Sequence, residues 1–66
     1  MKVSKLTAGI YQVACKGVEY QVAKWEVGAR WNLCKCVESY GAKDLEWIET
    51  VDSKREALAL IERIQG

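Results

Sequence analysis

Two alternating stretches, Tyr11-Gln12-Val13-Ala14-Cys15 and Val18-Glu19-Tyr20-Gln21-Val22, flank the dipeptide Lys16-Gly17. Apolar and polar residues that alternate over such a length mark half-buried strands, and a two-residue junction ending in glycine is a hairpin turn. The turn sets Cys15 opposite Val18, Val13 opposite Tyr20 and Tyr11 opposite Val22. Side chains alternate across a strand, so these six share one face, the candidate core. Ile10, Gln12, Ala14, Glu19, Gln21 and Ala23 fall on the other. That mixed set suits a solvated or ligand-facing surface.

The second stretch runs on through Lys24-Trp25-Glu26, Val27-Gly28-Ala29 reads as a turn, and Trp31 to Val37 as the next strand. An even loop such as Gly28-Ala29 puts Trp31 and Leu33 on the core face. An odd loop, or a bulge near Trp25, puts Cys34 and Cys36 there and displays Trp25 with Trp31 outside. The first buries the bulkier pair and is preferred. Glu38 to Lys43 reads as a polar loop, and Leu45 to Val51 as a further strand. In that strand Leu45, Trp47 and Val51 share a parity that Glu49 breaks. Val3 to Leu6 forms a short edge strand, with a bend at Gly9.

Ser53-Lys54-Arg55-Glu56 matches a capping box, in which the serine takes a free backbone N–H and the glutamate reaches back. Ala57, Leu60, Ile61 and Ile64 follow at helical spacing, with Leu58 flanking the stripe. One amphipathic helix and one half-apolar sheet can bury each other. The expected fold is α+β: a two-layer antiparallel meander of three to four strands with one C-terminal helix packed on one face. Residues 1–66 form a single domain, with the sheet over 10–51 and the helix over 53–65.

A chain of 66 residues has a thin core, and one that is 50% hydrophobic and 29% charged is globular in composition. No apolar run approaches a membrane span, and Met1 to Lys5 leads into no signal-peptide core. Cys15, Cys34 and Cys36 make an odd count, which favours reduced thiols and a cytoplasmic setting. Six cations precede Glu38 (Lys2, Lys5, Lys16, Lys24, Arg30 and Lys35) against two acids, Glu19 and Glu26. From Glu38 onward seven acids face four cations, so the chain is polarised, basic then acidic.

Without histidine, the usual triads and zinc hydrolase sites lose their commonest member. Cys34-Lys35-Cys36 lacks zinc-knuckle spacing and an evident fourth ligand, so the cysteines read as small core hydrophobes. Glu46 and Glu49 differ in parity and are expected on opposite faces, as surface residues. No phosphate loop or nucleophile elbow is present. The expectation is a non-enzyme, with no catalytic residues, metal or cofactor. The candidate binding residues are Trp25, Arg30, Lys24, Gln12, Gln21 and Lys35. An exposed tryptophan is a common hot spot, while glutamine and basic side chains on a β-ribbon read base edges.

The strand order, followed by Val51-Asp52-Ser53-Lys54-Arg55-Glu56-Ala57-Leu58, resembles the arm-type, AP2-like DNA-binding domains of phage integrases over residues 10–65. Those domains lay a three-stranded sheet in the major groove, and their C-terminal helix often opens with Thr/Ser-Lys-x-Glu-Ala. The resemblance implies Gln12, Gln21, Lys24 and Asn32 or Lys35 as reading residues. The sheet here is only modestly basic, a fourth strand is added, and no recombinase domain follows. The size and make-up also resemble small accessory proteins of phages and mobile elements, which often bind and inhibit a larger host machine. The expected function is thus an interaction module. A protein partner ranks ahead of nucleic acid, no membrane is involved, and an edge strand is open to homodimer formation.

Overall fold

The computed structural model describes residues 1–24 and 28–66. The chain forms β1 (Lys2–Thr7), β2 (Ile10–Cys15), β3 (Val18–Ala23), β4 (Trp31–Ser39), β5 (Ala42–Val51) and α1 (Lys54–Gln65). The strands lie in sequence order in one antiparallel sheet, and α1 packs across β2, β4 and β5. The fold is α+β as expected, with five strands in place of three to four. The added strand is β1, longer than the Val3–Leu6 edge segment and exposed throughout.

The first hairpin has the expected register: Cys15 opposes Val18, Val13 opposes Tyr20 and Tyr11 opposes Val22. Lys16 and Gly17 turn it with φ of 51° and 80°, the left-handed pair that matches strand twist. Val22 opposes Leu33, which places Leu33 and Trp31 on the core face and turns Cys34 and Cys36 outward. Val13, Cys15, Tyr20, Val22 and Leu33 form the core with Ala57 and Ile61 of α1. Trp31 and Tyr11 pack at its margin. Strand β3 ends at Ala23, short of its expected extension; Trp25, Glu26 and Val27 lie outside the described residues.

The expected loop at Glu38–Lys43 is instead the end of a long hairpin. Ser39 opposes Ala42, and Tyr40 and Gly41 turn the chain with φ of 52° and 78°. Pairing between β3 and β4 stops at Tyr20 and Lys35, so the hairpin projects beyond the rest of the sheet with Tyr40 fully exposed at its tip.

A β-bulge separates the two halves of β5. Leu33 opposes Glu49, whereas its neighbour Cys34 opposes Trp47, leaving Ile48 as the extra residue. An extra residue reverses the parity of everything beyond it. Val51 therefore faces the helix opposite Trp31, while Trp47 and Leu45 face the other way, opposite Cys34 and Cys36. The bulge also corrects the placement of the acids: Glu46, opposite Lys35, and Glu49, opposite Leu33, lie on the same side of the sheet. Ile48 packs against the core.

The helix starts as its sequence requires. The Ser53 hydroxyl accepts the Glu56 backbone N–H at 3.2 Å. The Glu56 carboxylate reaches one residue further back than a standard box and accepts from the Asp52 N–H at 3.1 Å. Gly66 closes the helix by donating its N–H to the Glu62 carbonyl. Ala57 and Ile61 are buried and Leu58 and Leu60 half-buried, but Ile64 is 48% exposed, contrary to its place in the stripe. The last turn reaches the β2–β3 hairpin through polar groups instead: Gln65 Nε2 donates to the Tyr20 hydroxyl, and Lys16 Nζ donates to the Gln65 carbonyl.

One backbone contact ties the β1–β2 turn to the end of β3. Lys24 N–H donates to the Gly9 carbonyl at 2.7 Å. A Cβ on Gly9, whose φ is +79°, would stand 2.8 Å from the Lys24 carbonyl oxygen. Gly17, at φ +80°, has nothing within 4 Å. Alanine at Gly17 is therefore expected to cost only left-handed strain, about 1–2 kcal/mol. Alanine at Gly9 adds a steric term of about 1–3 kcal/mol. Urea unfolding of the two variants checks the difference; equal losses would show that the Gly9–Lys24 approach is not a constraint.

Candidate functional site

The sheet face away from α1 has no element packed on it among the described residues. Three rows cross it. Ser4, Gln12, Gln21, Cys34 and Trp47 oppose one another in turn through all five strands. Thr7, Ile10, Ala23, Asn32 and Thr50 form a second row. The third holds Lys2, Ala14 and Glu19, with Cys36 and Leu45 paired across β4 and β5. Between the first and third rows lies an open hollow of about 410 Å³, lined by Gln12, Glu19, Gln21, Cys36, Lys43, Asp44 and Leu45.

Among the described residues, Trp47 at 58% and Leu45 at 41% exposure are large apolar side chains on this face in contact with solvent. The indole is not loose. Trp47 Nε1 donates to Thr50 Oγ1 at 3.2 Å, and that hydroxyl donates to Asn32 Oδ1 at 2.9 Å. Formal charges on the face balance: Lys2 and Lys43 (opposite Glu38) stand against Glu19 and Glu38.

The candidate binding residues do not converge. Gln12 and Gln21 are adjacent at the centre of the open face, as expected. Lys35 opposes Tyr20 and so points to the helix side. Lys24 also serves that side, its Nζ 5.8 Å from the centroid of the Trp31 ring. Arg30 is engaged: its Nε donates to Asp52 Oδ1 at 2.9 Å and its Nη2 to the Thr50 carbonyl at 3.3 Å. These bonds clamp the β3–β4 loop to the entry of the helix. With both partners largely exposed, the ion pair contributes only about 0–1 kcal/mol. Trp25 lies outside the described residues. Trp47 and Leu45 were missed because unbroken alternation assigns them to the parity of Val51. Glu49, the residue that broke that alternation, was the signal of the bulge.

A second cluster flanks the start of the helix. Lys54 Nζ lies 4.1 Å from the centroid of the Tyr11 ring, and Tyr11 and Trp31 meet at 6.0 Å with tilted planes. Each ring is thus engaged by a lysine of the same chain, so the cluster closes the edge of the core. Such contacts are worth about 0.5–1 kcal/mol each when exposed.

The three cysteines are free and divided between the faces: Cys15 under the helix, Cys34 and Cys36 on the open side. They cannot form one three-thiol site. Among the described residues no three histidine, cysteine or acidic side chains are placed to hold a metal, and no helix is long and apolar enough to cross a membrane. Burial pushes the Cys34 thiol up, and the neighbouring Cys36 adds to the effect. Cys36 is raised first by burial and then by the Glu19 carboxylate, with Lys43 opposing.

No family model matches this chain, and no curated protein or solved structure matches it significantly.

Because the folded state keeps protons on Cys34 and Cys36, its stability is expected to fall as pH rises from the ordinary thiol range through their raised values. At neutral pH, iodoacetamide should label the folded protein far more slowly than the urea-unfolded chain. Half-buried Cys36 should react before Cys34 and Cys15, as read by peptide mass mapping. Labelling of Cys34 first would show the open face to be covered differently.

Proposed function

We propose that this domain is a small non-enzymatic interaction module whose open sheet face docks a protein partner, with Trp47 as the anchor. The observation that carries this reading is an exposed tryptophan held in one orientation by Thr50 and Asn32, beside an exposed leucine and a polar hollow. Covering a large apolar side chain contributes about 1.5–3 kcal/mol. A ring already fixed by hydrogen bonding loses little further freedom on docking. Gln12 and Gln21, central and half-buried, offer donors and acceptors that orient a partner around that anchor. Tyr40, exposed at the tip of the projecting hairpin, gives a second aromatic contact.

The charge balance of the face favours protein over nucleic acid. Phosphate binding rests on a surplus of cations, and this face has none among its described residues. A partner presenting an apolar patch ringed by hydrogen-bonding groups fits better.

Photocrosslinking tests the reading. With a benzophenone amino acid at Leu45, on the same face as the anchor, the native cell extract should yield one discrete protein adduct; the same group at Glu62, on the exposed side of the helix, should not. Trp47→Ala in tagged wild-type protein should abolish capture of that species and lower the thermal midpoint by no more than about 3 °C, as for a surface change. Equal crosslinking from both positions, or adducts only to nucleic acid, would overturn it.

A further inference from the structure

Beyond the open face, the edge of β5 shows a second kind of preparation. Two backbone N–H groups along it, and a third just past its end, are held by carboxylates of nearby residues: Leu45 by Asp44 Oδ1 at 2.8 Å, Thr50 by Glu49 Oε1 at 3.1 Å and, at the entry of the helix, Asp52 by Glu56 Oε2 at 3.1 Å. A strand N–H bonded to such a side chain is not in the ladder with β4, so these groups line the outer side of the sheet. Thr50 and Asp52 are two residues apart, the spacing at which an added strand receives donors. Each carboxylate occupies the position that a carbonyl oxygen of such a strand would take.

The space beside this edge is shaped as well. Between β5 and α1 lies an open hollow of about 350 Å³ lined by Glu49, Val51, Glu56, Ala59, Leu60 and Arg63. Its floor is apolar (Val51, Ala59, Leu60) and two carboxylates stand at its rim. That combination fits the aliphatic stem and cationic head of a lysine or arginine, which bury the one and keep the other at a polar boundary. Arg63 also lines the hollow, which leaves it one net negative charge. Asp44, Glu46 and Glu49 give this edge an acidic border, with Lys43 the one cation of the strand; past its end Asp52 is paired with Arg30, which also holds the Thr50 carbonyl.

From the capped donors and the acidic, apolar-floored hollow, we infer that β5 is a strand-addition site for a basic extended peptide segment. Its carbonyl oxygens take the N–H groups of Thr50 and Asp52, and the carboxylates so released pair with its lysine or arginine side chains. This is β-augmentation, in which main-chain bonds supply affinity and side-chain hollows supply selectivity. In the free protein the same carboxylates satisfy the edge and charge it, which discourages pairing with uncharged or acidic strands.

The probe is an acetylated, amidated peptide of alternating lysine and valine, titrated into isotope-labelled protein and followed by amide NMR. The amide signals of Thr50 and Asp52 should move saturably, with smaller changes on β2 and β3. The matching glutamate–valine peptide should move none. E49Q/E56Q keeps a hydrogen-bonding group at each position and should weaken binding about three- to tenfold, the range for two exposed ion contacts. No movement at Thr50 and Asp52, equal binding of the glutamate peptide, or shifts confined to the Gln12–Gln21–Trp47 row would overturn the inference. Should the double variant unfold, the comparison of the two peptides on the wild-type protein still decides. Crosslinking from the open face is read independently of these titrations, so this site and the proposed protein-docking face stand or fall separately.

Discussion

One helix has to close a sheet of five strands. Twelve residues give a rod about 18 Å long and roughly 10 Å wide, whereas five strands spread over about 20 Å or more on each face. The helix can shield the middle of one face, and Val13, Tyr20, Val22 and Leu33 lie under Ala57 and Ile61 there. All else follows from that shortfall. β1 stays exposed, Ile64 stays half exposed, and the far face is left to whatever its own side chains can cover. A domain of this size has too little interior to hide all its apolar surface, so part of that surface stays uncovered.

The bulge at Ile48 decides that position. Without it, Trp47 would share the side of Val51 and compete for space near the helix. With it, the apolar residues of β5 are divided: Ile48 and Val51 complete the core, while Leu45 and Trp47 go to the open side. Bulges are common where a sheet re-aims a side chain. Here a single extra residue assigns an indole to solvent and gathers Glu46 and Glu49 on one side.

Sequence pattern made much of the fold legible, and the reason is local. The Lys16-Gly17 turn determines its own register, and the serine-to-glutamate spacing determines the start of the helix, because both act over a few residues. The pairing of Leu33 with Val22 was also accessible, since burial of a bulky pair outweighs burial of two thiols. What escaped was backbone conformation that alternation does not report. The reach of β4 and β5 depends on how readily Tyr40 and Gly41 adopt left-handed backbone, and alternation says little about that. Of the candidate site, Gln12 and Gln21 were placed correctly on the open face because they belong to the first hairpin. Lys24, Arg30 and Lys35 were grouped with them by charge, yet one serves an aromatic ring, one clamps a loop to Asp52, and one faces the helix side.

The strand order has a consequence for how the molecule assembles. Every strand pairs with its neighbour in the chain, so each ladder closes across a short connection and none waits for a distant segment. The separations that span most of the chain belong to the helix, whose last turn meets Lys16 and Tyr20 some 45 to 49 positions away. Topologies dominated by short closures form quickly. Hairpins should therefore appear first and independently, and docking of the terminal helix should be the step that turns a loose ribbon into a cooperative unit.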